Sequence, residues 1–312
     1  MASSRTLKKR IKSTKNIAQI TKAMEAVSAV KMRRSQEVAI KARPYALAAL
    51  EILKNISSDA DLAAAFSHPL LETGKGQKQA LIVITSDKGL CGSFNSNVLR
   101  KASDFLKKAQ APTDVIAVGK RGRDFLRKRG YTIATELTGM GDYATSTQTK
   151  PLAEKALALF TEGGYSAVFA VYTNFISVLK QEVVVEQVLP FSAENIKKRI
   201  DEIIPQRGRY ANMPAALGAS GAEHTAYKIE PSPTEVLSEI LPLLLETNVY
   251  HMVLEANASE HSARMVAMKN ASENAKDLIG TLTLVYNKAR QANITKELAE
   301  ISAGAAALEG SS

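Results

Sequence analysis

The sequence predicts an α/β fold in which one α/β domain is inserted between two long terminal helices that pair as an antiparallel coiled coil. Two observations support this fold class. Both ends of the 312-residue chain carry apolar residues at alternating steps of three and four, which is typical of a coiled-coil helix. Between them, short apolar runs alternate with helical patterns, which indicates a largely parallel sheet covered by helices.

The N-terminal helix is predicted over residues 1–58, with Pro44 as a possible kink. Its apolar line is predicted at Ile17, Ile20, Met24 and Val27, extended backwards by Leu7 and Ile11. A line this narrow favours burial against one partner helix. Two amphipathic helices packed on a broad globular core are the alternative to the coiled coil.

The positive charge of the chain is concentrated in this helix. Residues 1–45 hold twelve Lys or Arg and two Glu, so they carry the whole formal net charge of +10. Such a concentrated field implies an acidic partner surface, which could belong to nucleic acid, anionic lipid or protein.

The middle of the chain, residues 78–190, is predicted to form a Rossmann-like α/β domain. The predicted strands are 80–85, 114–118, 131–136, 167–173 and 182–189, and the predicted helices are 95–109, 121–129 and 151–161. The last strand alternates in polarity, which favours the edge of the sheet. Residues 191–233 are predicted to be an irregular loop or insert, rich in Gly, Pro and Ala.

Nucleotide-binding and catalytic motifs are missing from the sequence. Gly89 and Gly92 follow the first strand, and 119–122 follow the second, but neither loop has the spacing of a P-loop or of G-x-G-x-x-G. The four histidines lack metal-ligand spacing, and the single cysteine, Cys91, lacks an evident histidine partner. We therefore expect no catalytic residue, no cofactor, no metal site and no direct nucleotide binding.

The C-terminal helix is predicted over residues 234–308 and contains the longest periodic pattern of the chain. Its apolar line is predicted at Met265, Met268, Ala271, Ala275, Leu278, Leu282, Val285, Ala289 and Ala292. The last fifty residues alone would make a rod about 75 Å long, which is more than a compact domain needs.

Three segments resemble one family in the correct order. They are the start, SRTLKKRIKSTKNIAQITKAMEAVSAVKMRRSQ, the loop ITSDKGLCGSFNSNV, and the end, ARMVAMKNASENAKDLIGTLTLVYNKARQANITKELAEISAGAAAL. Together they are similar to the gamma subunit of the F-type, proton-translocating ATP synthase of bacteria. The resemblance implies a central rotor shaft that transmits rotation between the membrane c-ring and the alpha/beta hexamer.

The resemblance also implies the partners. The coiled coil is expected to stand inside the hexamer of alpha and beta subunits, and the α/β domain beside the epsilon subunit and the c-ring. Chemistry is expected on the beta subunits, so this chain would be a non-catalytic subunit. The positions that match beta-subunit contacts are Met24, Arg264, Arg290, Gln291 and Thr295.

The same reasoning gives an expected location. The sequence has no apolar run long enough to span a bilayer and shows neither a secretory nor a transit-like leader. We therefore expect a protein peripheral to the bacterial inner membrane, on its cytoplasmic face.

Two functions of other classes compete with the shaft. A basic coiled-coil nucleic-acid-binding protein would explain the charge, but Tyr45 is the only aromatic residue among the first 45 residues. A nucleotide-binding enzyme with helical arms is disfavoured by the missing phosphate loops.

Overall fold

The computed structural model describes residues 4–58, 68–162, 164–191 and 233–309. Its helices are α1 (Ser4–Ser58), α2 (Phe94–Lys108), α3 (Lys120–Lys128), α4 (Ser146–Glu162) and α5 (Pro233–Glu309). Its strands are β1 (Lys78–Ile84), β2 (Thr113–Val118), β3 (Ile133–Leu137), β4 (Tyr165–Phe175) and β5 (Gln181–Leu189). The predicted mixed α/β fold with long terminal helices is confirmed. The insert predicted at 191–233 lies almost entirely outside the described residues.

The five strands form one sheet in the order β3-β2-β1-β4-β5. The first four strands are parallel to one another, and β5 pairs antiparallel to β4 at the edge. The predicted edge position of β5 is therefore confirmed. This order reverses direction between β1 and β4, as a Rossmann-like sheet does at its switch point.

From Ala80 to Ile84 the central strand β1 is buried on both faces, which explains why this part of its sequence is entirely apolar. Ile82 and Ile84 face one core, together with Leu152 of α4 and Leu245 of α5. On the other face, Leu81 and Val83 belong to a second core, with these residues of α2 and α3: Val98, Leu99, Ala102 and Leu126. Helices therefore cover both faces, and the carboxyl edge of the sheet is left to the loops and to α5.

By its internal contacts the chain divides into two compact units. One comprises the residues up to Ser28 and those from Met265 onwards, and the other comprises Ala29–Arg264. Helices α1 and α5 contribute residues to both units. The predicted domain boundaries at 58, 190 and 233 stay predictions.

In the first unit, the apolar line predicted for α1 is correct at Leu7, Ile11 and Met24, which are buried or half-buried, and wrong at Ile17, Ile20 and Val27. Ile17, Ile20 and Val27 are 50%, 59% and 53% exposed. Apart from Met24, the buried and half-buried positions up to Ser28 follow an adjacent heptad line, at Ser4, Leu7, Ile11, Thr14, Ala18, Thr21, Glu25 and Ser28. Apart from Leu7, Ile11 and Glu25, this line consists of small or hydroxyl residues, which allow two helix backbones to approach closely.

Of the line predicted for α5, the positions that are exposed, and therefore wrong, are Leu278, Val285 and Ala292, whereas the other six are buried or half-buried. Met268 and Ala275 are buried, and Leu282 and Ala289 are half-buried, whereas Leu278 is 49% exposed. The buried side of α5 also includes Ser272, Ile279 and Tyr286, each of which follows a predicted position by one residue.

Within the same unit, α1 and α5 pack against each other. Ser272 Oγ donates a hydrogen bond to the Ala18 carbonyl at 3.4 Å. If α1 and α5 are antiparallel, residues equally far from this pair lie opposite each other. Ser4, the first residue of α1, would then lie opposite Tyr286. Burial on α5 does end close to that point, because the described residues after Ala289 are all exposed. The burial pattern therefore fits the antiparallel coiled coil.

Candidate functional site

The carboxyl ends of β1, β2 and β3 meet at one edge of the sheet, where a Rossmann-like fold ordinarily binds its ligand. Here the chain itself uses the backbone amides that a phosphate would need. The Asp87 carboxylate accepts hydrogen bonds from the amide of Lys120 at 2.9 Å and from the amide of Gly139 at 2.8 Å. An internal carboxylate thus occupies the anion position at the start of α3.

A close contact between β1 and the start of α3 completes this arrangement. Gly122 donates its amide to Thr85 Oγ1 at 2.8 Å, and Thr85 Oγ1 donates to the Val118 carbonyl at 2.9 Å. Gly119 has a φ of 87°, and a Cβ there would lie 2.2 Å from the Thr85 carbonyl oxygen. The glycines after β2 therefore serve a tight strand-to-helix turn, as the sequence favours.

Helix α5 covers the neighbouring part of the edge, at the ends of β4 and β5. Ser259 Oγ donates to the Thr173 carbonyl at 3.3 Å, and Ser262 Oγ donates to the Val178 carbonyl at 2.8 Å. Gln181 Nε2 in turn donates to Ser262 Oγ at 3.3 Å. Both serines are fully buried. The edge that would accept a nucleotide is therefore built as a docking site for a helix.

Charged side chains from α1, α5 and the edge loops converge at this docking site. We call this group the edge cluster: Lys31, Lys88, Asp142, Glu260, His261 and Arg264. Asp142 Oδ2 lies 2.6 Å from Lys31 Nζ, and Asp142 Oδ1 lies 3.6 Å from Lys88 Nζ. Residues far apart in the sequence thus meet in one charged network.

Arg264 ties α5 to the loop after β1. Its Nε and Nη2 donate to the Gly89 carbonyl at 3.3 and 3.2 Å, and Nη2 donates to Glu260 Oε1 at 2.6 Å. Arg264 is only 6% exposed. The guanidinium therefore holds a backbone position in the loop while its charge is balanced by a carboxylate.

His261 connects Arg264 to Asp142. Arg264 Nη1 lies 3.3 Å from His261 Nδ1, and His261 Nε2 lies 3.2 Å from the Asp142 carbonyl oxygen. Since a guanidinium can only donate, we assign Nδ1 as the acceptor and Nε2–H as the donor, which is a neutral imidazole. Burial lowers the pKa of His261 to about 4, in agreement with this assignment.

The two carboxylates of the edge cluster are shifted in opposite directions. Burial raises the pKa of Glu260, although the charge and hydrogen bond of Arg264 offset part of this effect. Burial also acts to raise the pKa of Asp142, but the hydrogen bond and charge of Lys31, with the charge of Lys88, outweigh it and lower that pKa. Asp142 is therefore ionised at neutral pH.

The predicted beta-subunit contacts occupy different surroundings. Met24 is half-buried on α1, and Arg264 is buried in the edge cluster. Arg290, Gln291 and Thr295 are exposed on one stretch of α5, which brings these three together on a single helix.

Sequence reasoning missed Asp142, Lys31 and Glu260, and it treated His261 as scattered. The role of Asp87, whose carboxylate caps α3, is likewise visible only in the structure. The missed residues form no motif, since only folding brings them together. Among the described residues, no group of three or more His, Cys, Asp or Glu side chains is arranged to hold a metal ion. In the same ranges, every helix falls short of the apolar length needed to cross a bilayer.

Comparison with known proteins gives a consistent result along the chain. A family model described as ATP synthase matches residues 3–308. An ATP synthase gamma chain of Pelotomaculum thermopropionicum is 43% identical over 309 residues, covering 99% of this chain and 100% of that protein. An ATP synthase gamma chain of Chloroflexus aurantiacus is 43% identical over 312 residues, covering 99% of both.

Solved structures with the same fold come from mitochondrial ATP synthases. A chain of the central stalk and c-ring structure from Tetrahymena thermophila matches with a TM-score of 0.59 and 24% identity, covering 81% of this chain and 99% of that chain. A chain of the OSCP/F1/c-ring structure from Euglena gracilis matches with a TM-score of 0.63 and 21% identity, covering 98% and 94%. At these identities the likeness shows a shared fold.

Proposed function

The chain belongs to the ATP synthase gamma chain family, and we propose that it transmits rotation between the membrane c-ring and the catalytic alpha/beta hexamer as the central rotor shaft. The observation that carries this proposal is the pairing of α1 with α5 in a narrow heptad seam. Helix α5 alone has 77 residues, which at 1.5 Å per residue is about 115 Å of helix. Such a helix suits a shaft better than a compact binding domain.

We propose that the chain is non-catalytic and that ATP is made and hydrolysed on the beta subunits. The position at the start of α3 that would hold a phosphate is taken by the Asp87 carboxylate. The edge beside it is covered by α5 through Ser259 and Ser262. A nucleotide-binding enzyme would need both positions free, and the family membership does not favour the nucleic-acid-binding alternative.

The proposed contacts with the beta subunits are Met24, Arg264, Arg290, Gln291 and Thr295. The last three present exposed polar groups on α5, where the described residues beyond Ala289 are all exposed and available to a surrounding sleeve. The donors of Arg264 are already engaged by Gly89 and Glu260. We therefore propose that Arg264 contributes by holding the Gly89 loop in position.

The remaining partners and the location follow from the same role. We propose that the alpha and epsilon subunits also bind this chain and that it works peripherally at the cytoplasmic face of a bacterial inner membrane. The twelve basic residues among the first 45 would complement acidic segments of the beta subunits.

Co-purification tests the proposed function. An affinity tag inserted between residues 211 and 222 leaves both terminal helices unaltered. After gentle solubilisation of the membranes, we expect alpha, beta, epsilon and c subunits to co-purify with ATPase activity. Removal of residues 290–312 should lower ATP-driven proton pumping. Recovery as a lone chain, or with nucleic acid that dissociates at high salt, would contradict the proposal.

A further inference from the structure

The loop after β3 contacts both terminal helices. Within the unit Ala29–Arg264, Asp142 bonds Lys31 of α1 through its carboxylate at 2.6 Å and faces His261 of α5 through its backbone carbonyl at 3.2 Å. The next residue, Tyr143, lies under the guanidinium of Arg34, with 4.7 Å between Arg34 Cζ and the ring centroid. This loop is thus a direct bridge between α1 and α5.

The ion pair in this bridge is better placed than an ordinary surface pair. The side chains of Lys31 and Asp142 are 27% and 26% exposed, and partial burial strengthens the attraction between two charges. By contrast, Lys88, which contacts the same carboxylate from the loop after β1, is 67% exposed. The Lys31 contact is therefore the stronger of the two, and it is the one that reaches α1.

The covalent route from α1 to the sheet is long. Helix α1 ends at Ser58, which is about 40 Å of helix beyond Lys31. A load applied to the sheet would therefore reach the Lys31 region of α1 through side-chain contacts sooner than through the chain. Helix α5 is held at the same edge by Arg264 on Gly89 and by Ser262 on Val178. Both helices are thus held by contacts with adjacent loops at this edge of the sheet.

We propose that Asp142 is a positioning residue for torque transmission, because its pair with Lys31 locks α1 to the α/β domain at the edge where α5 is also held. This inference rests on the proposed function as a rotor shaft. It adds a specific coupling point: rotation imposed on the α/β domain is passed to α1 through the Asp142–Lys31 pair. Loss of the pair lets the domain turn without carrying α1 fully along.

The test uses the assembled ATP synthase in membrane vesicles and measures ATP-driven proton pumping relative to ATPase activity. Asp142→Asn and Lys31→Gln should each lower this ratio about fivefold. This is the change in an equilibrium that the loss of one interaction of ordinary strength produces. Since both substitutions remove the same contact, the double variant should be no worse than either single one. Lys88→Gln should lower the ratio less than Lys31→Gln does. Asp104→Asn, the same substitution on the exposed surface of α2, should leave the ratio unchanged.

The outcomes separate the coupling point from the shaft role. If alpha and beta subunits fail to co-purify with the unaltered chain, the proposed function fails. If the complex assembles and Asp142→Asn pumps as well per ATP as the unaltered chain, the coupling point is overturned, as it is by additive losses in the double variant. Should Asp142→Asn fail to assemble, Asp142→Glu, which keeps the charge, is expected to assemble and pump within about twofold of the unaltered chain. A loss of pumping in Asp142→Glu as large as in Lys31→Gln would also overturn the inference.

Discussion

Single side chains hold α5 at the edge of this sheet and occupy the position at the start of α3 where a phosphate would bind. Asp87 supplies the negative charge that the start of α3 favours, and its two oxygens join the amides of Lys120 and Gly139. Arg264 and His261 then satisfy their hydrogen bonds inside the edge cluster, where an unpaired polar group would be costly. The chemistry of the edge is therefore structural, and it fixes α5 in place.

His261 should make the stability of the chain depend on pH in mildly acidic solution. Its pKa is lowered from 6.5 to about 4 in the folded chain, so between these values the unfolded chain binds a proton that the folded chain does not. Stability should therefore fall as the pH falls from 6.5 to about 4, by about 3 kcal/mol in total. Urea unfolding of the full chain across this range measures the slope.

Replacement of the histidine provides the control for this prediction. His261→Gln keeps an amide that can donate to the Asp142 carbonyl but cannot titrate, so the slope between pH 6.5 and 4 should decrease. Burial raises the pKa of Glu260, so just above the ordinary pKa of a glutamate the folded chain binds a proton that the unfolded chain does not. This contribution raises stability as the pH falls, opposite to that of His261. Identical slopes for His261→Gln and the unaltered chain would contradict the assignment.

At the scale of elements, the seam between α1 and α5 combines two classes of residue. Leu7 and Met268 are buried apolar side chains, whereas Ala18, Ser28 and Ser272 are small. Small residues bury little apolar area, so the seam gains less from the hydrophobic effect than a leucine-rich coiled coil would. Apolar residues such as Ile17 on α1 and Leu278 on α5 lie outside the seam and are exposed, where a surrounding partner can contact them.

Substitutions of Met268 and Leu278 test which line of residues on α5 forms the seam with α1. Both fit the apolar period of the sequence, but Met268 is 5% exposed and Leu278 is 49% exposed. Met268→Ala should destabilise the full chain by about 2 kcal/mol, whereas Leu278→Ala should change stability by less than about 0.5 kcal/mol. Denaturant unfolding followed by circular dichroism measures both, and equal losses would show that the assigned seam is wrong.

At the scale of the whole molecule, the chain contains two compact units. The unit Ala29–Arg264 contains the sheet and the edge cluster, and the unit of both termini contains the paired helices with the exposed end of α5. Helices α1 and α5 each contribute residues to both units.

Arg290 and Gln291 should matter to the assembled machine and not to the chain alone. Both are exposed on α5, so replacing both by alanine should change the stability of the isolated chain by less than about 0.5 kcal/mol. In the assembled synthase the same change should lower ATP-driven proton pumping per ATP. Lys288→Ala, which removes one exposed charge from the same helix, is the matched control. Unchanged pumping in the double variant would remove these residues from the proposed contacts.

The order and type of the helices and strands can be predicted from local patterns in the sequence. The two terminal helices, the five strands and the edge position of the last strand could all be predicted, because hydrophobic period and strand composition are local properties. The antiparallel direction of that strand is seen only in the structure. The family was equally accessible, since the terminal segments and the loop around Cys91 carry long specific patterns. The absence of a phosphate loop could be read from glycine spacing alone.

The seam and the edge cluster depend on contacts between distant parts of the chain, so they can be located only in the folded protein. Helix α1 has two neighbouring lines with the same period, and hydrophobicity favoured the line of Ile17 and Ile20, whereas close approach of α5 selects the line of Ala18. The Asp142 network could not be predicted, because Lys31, Asp142 and His261 come from distant parts of the chain and share no motif. Periodicity reveals that a helix has a buried face, but which face is buried depends on the partner that folding brings against it.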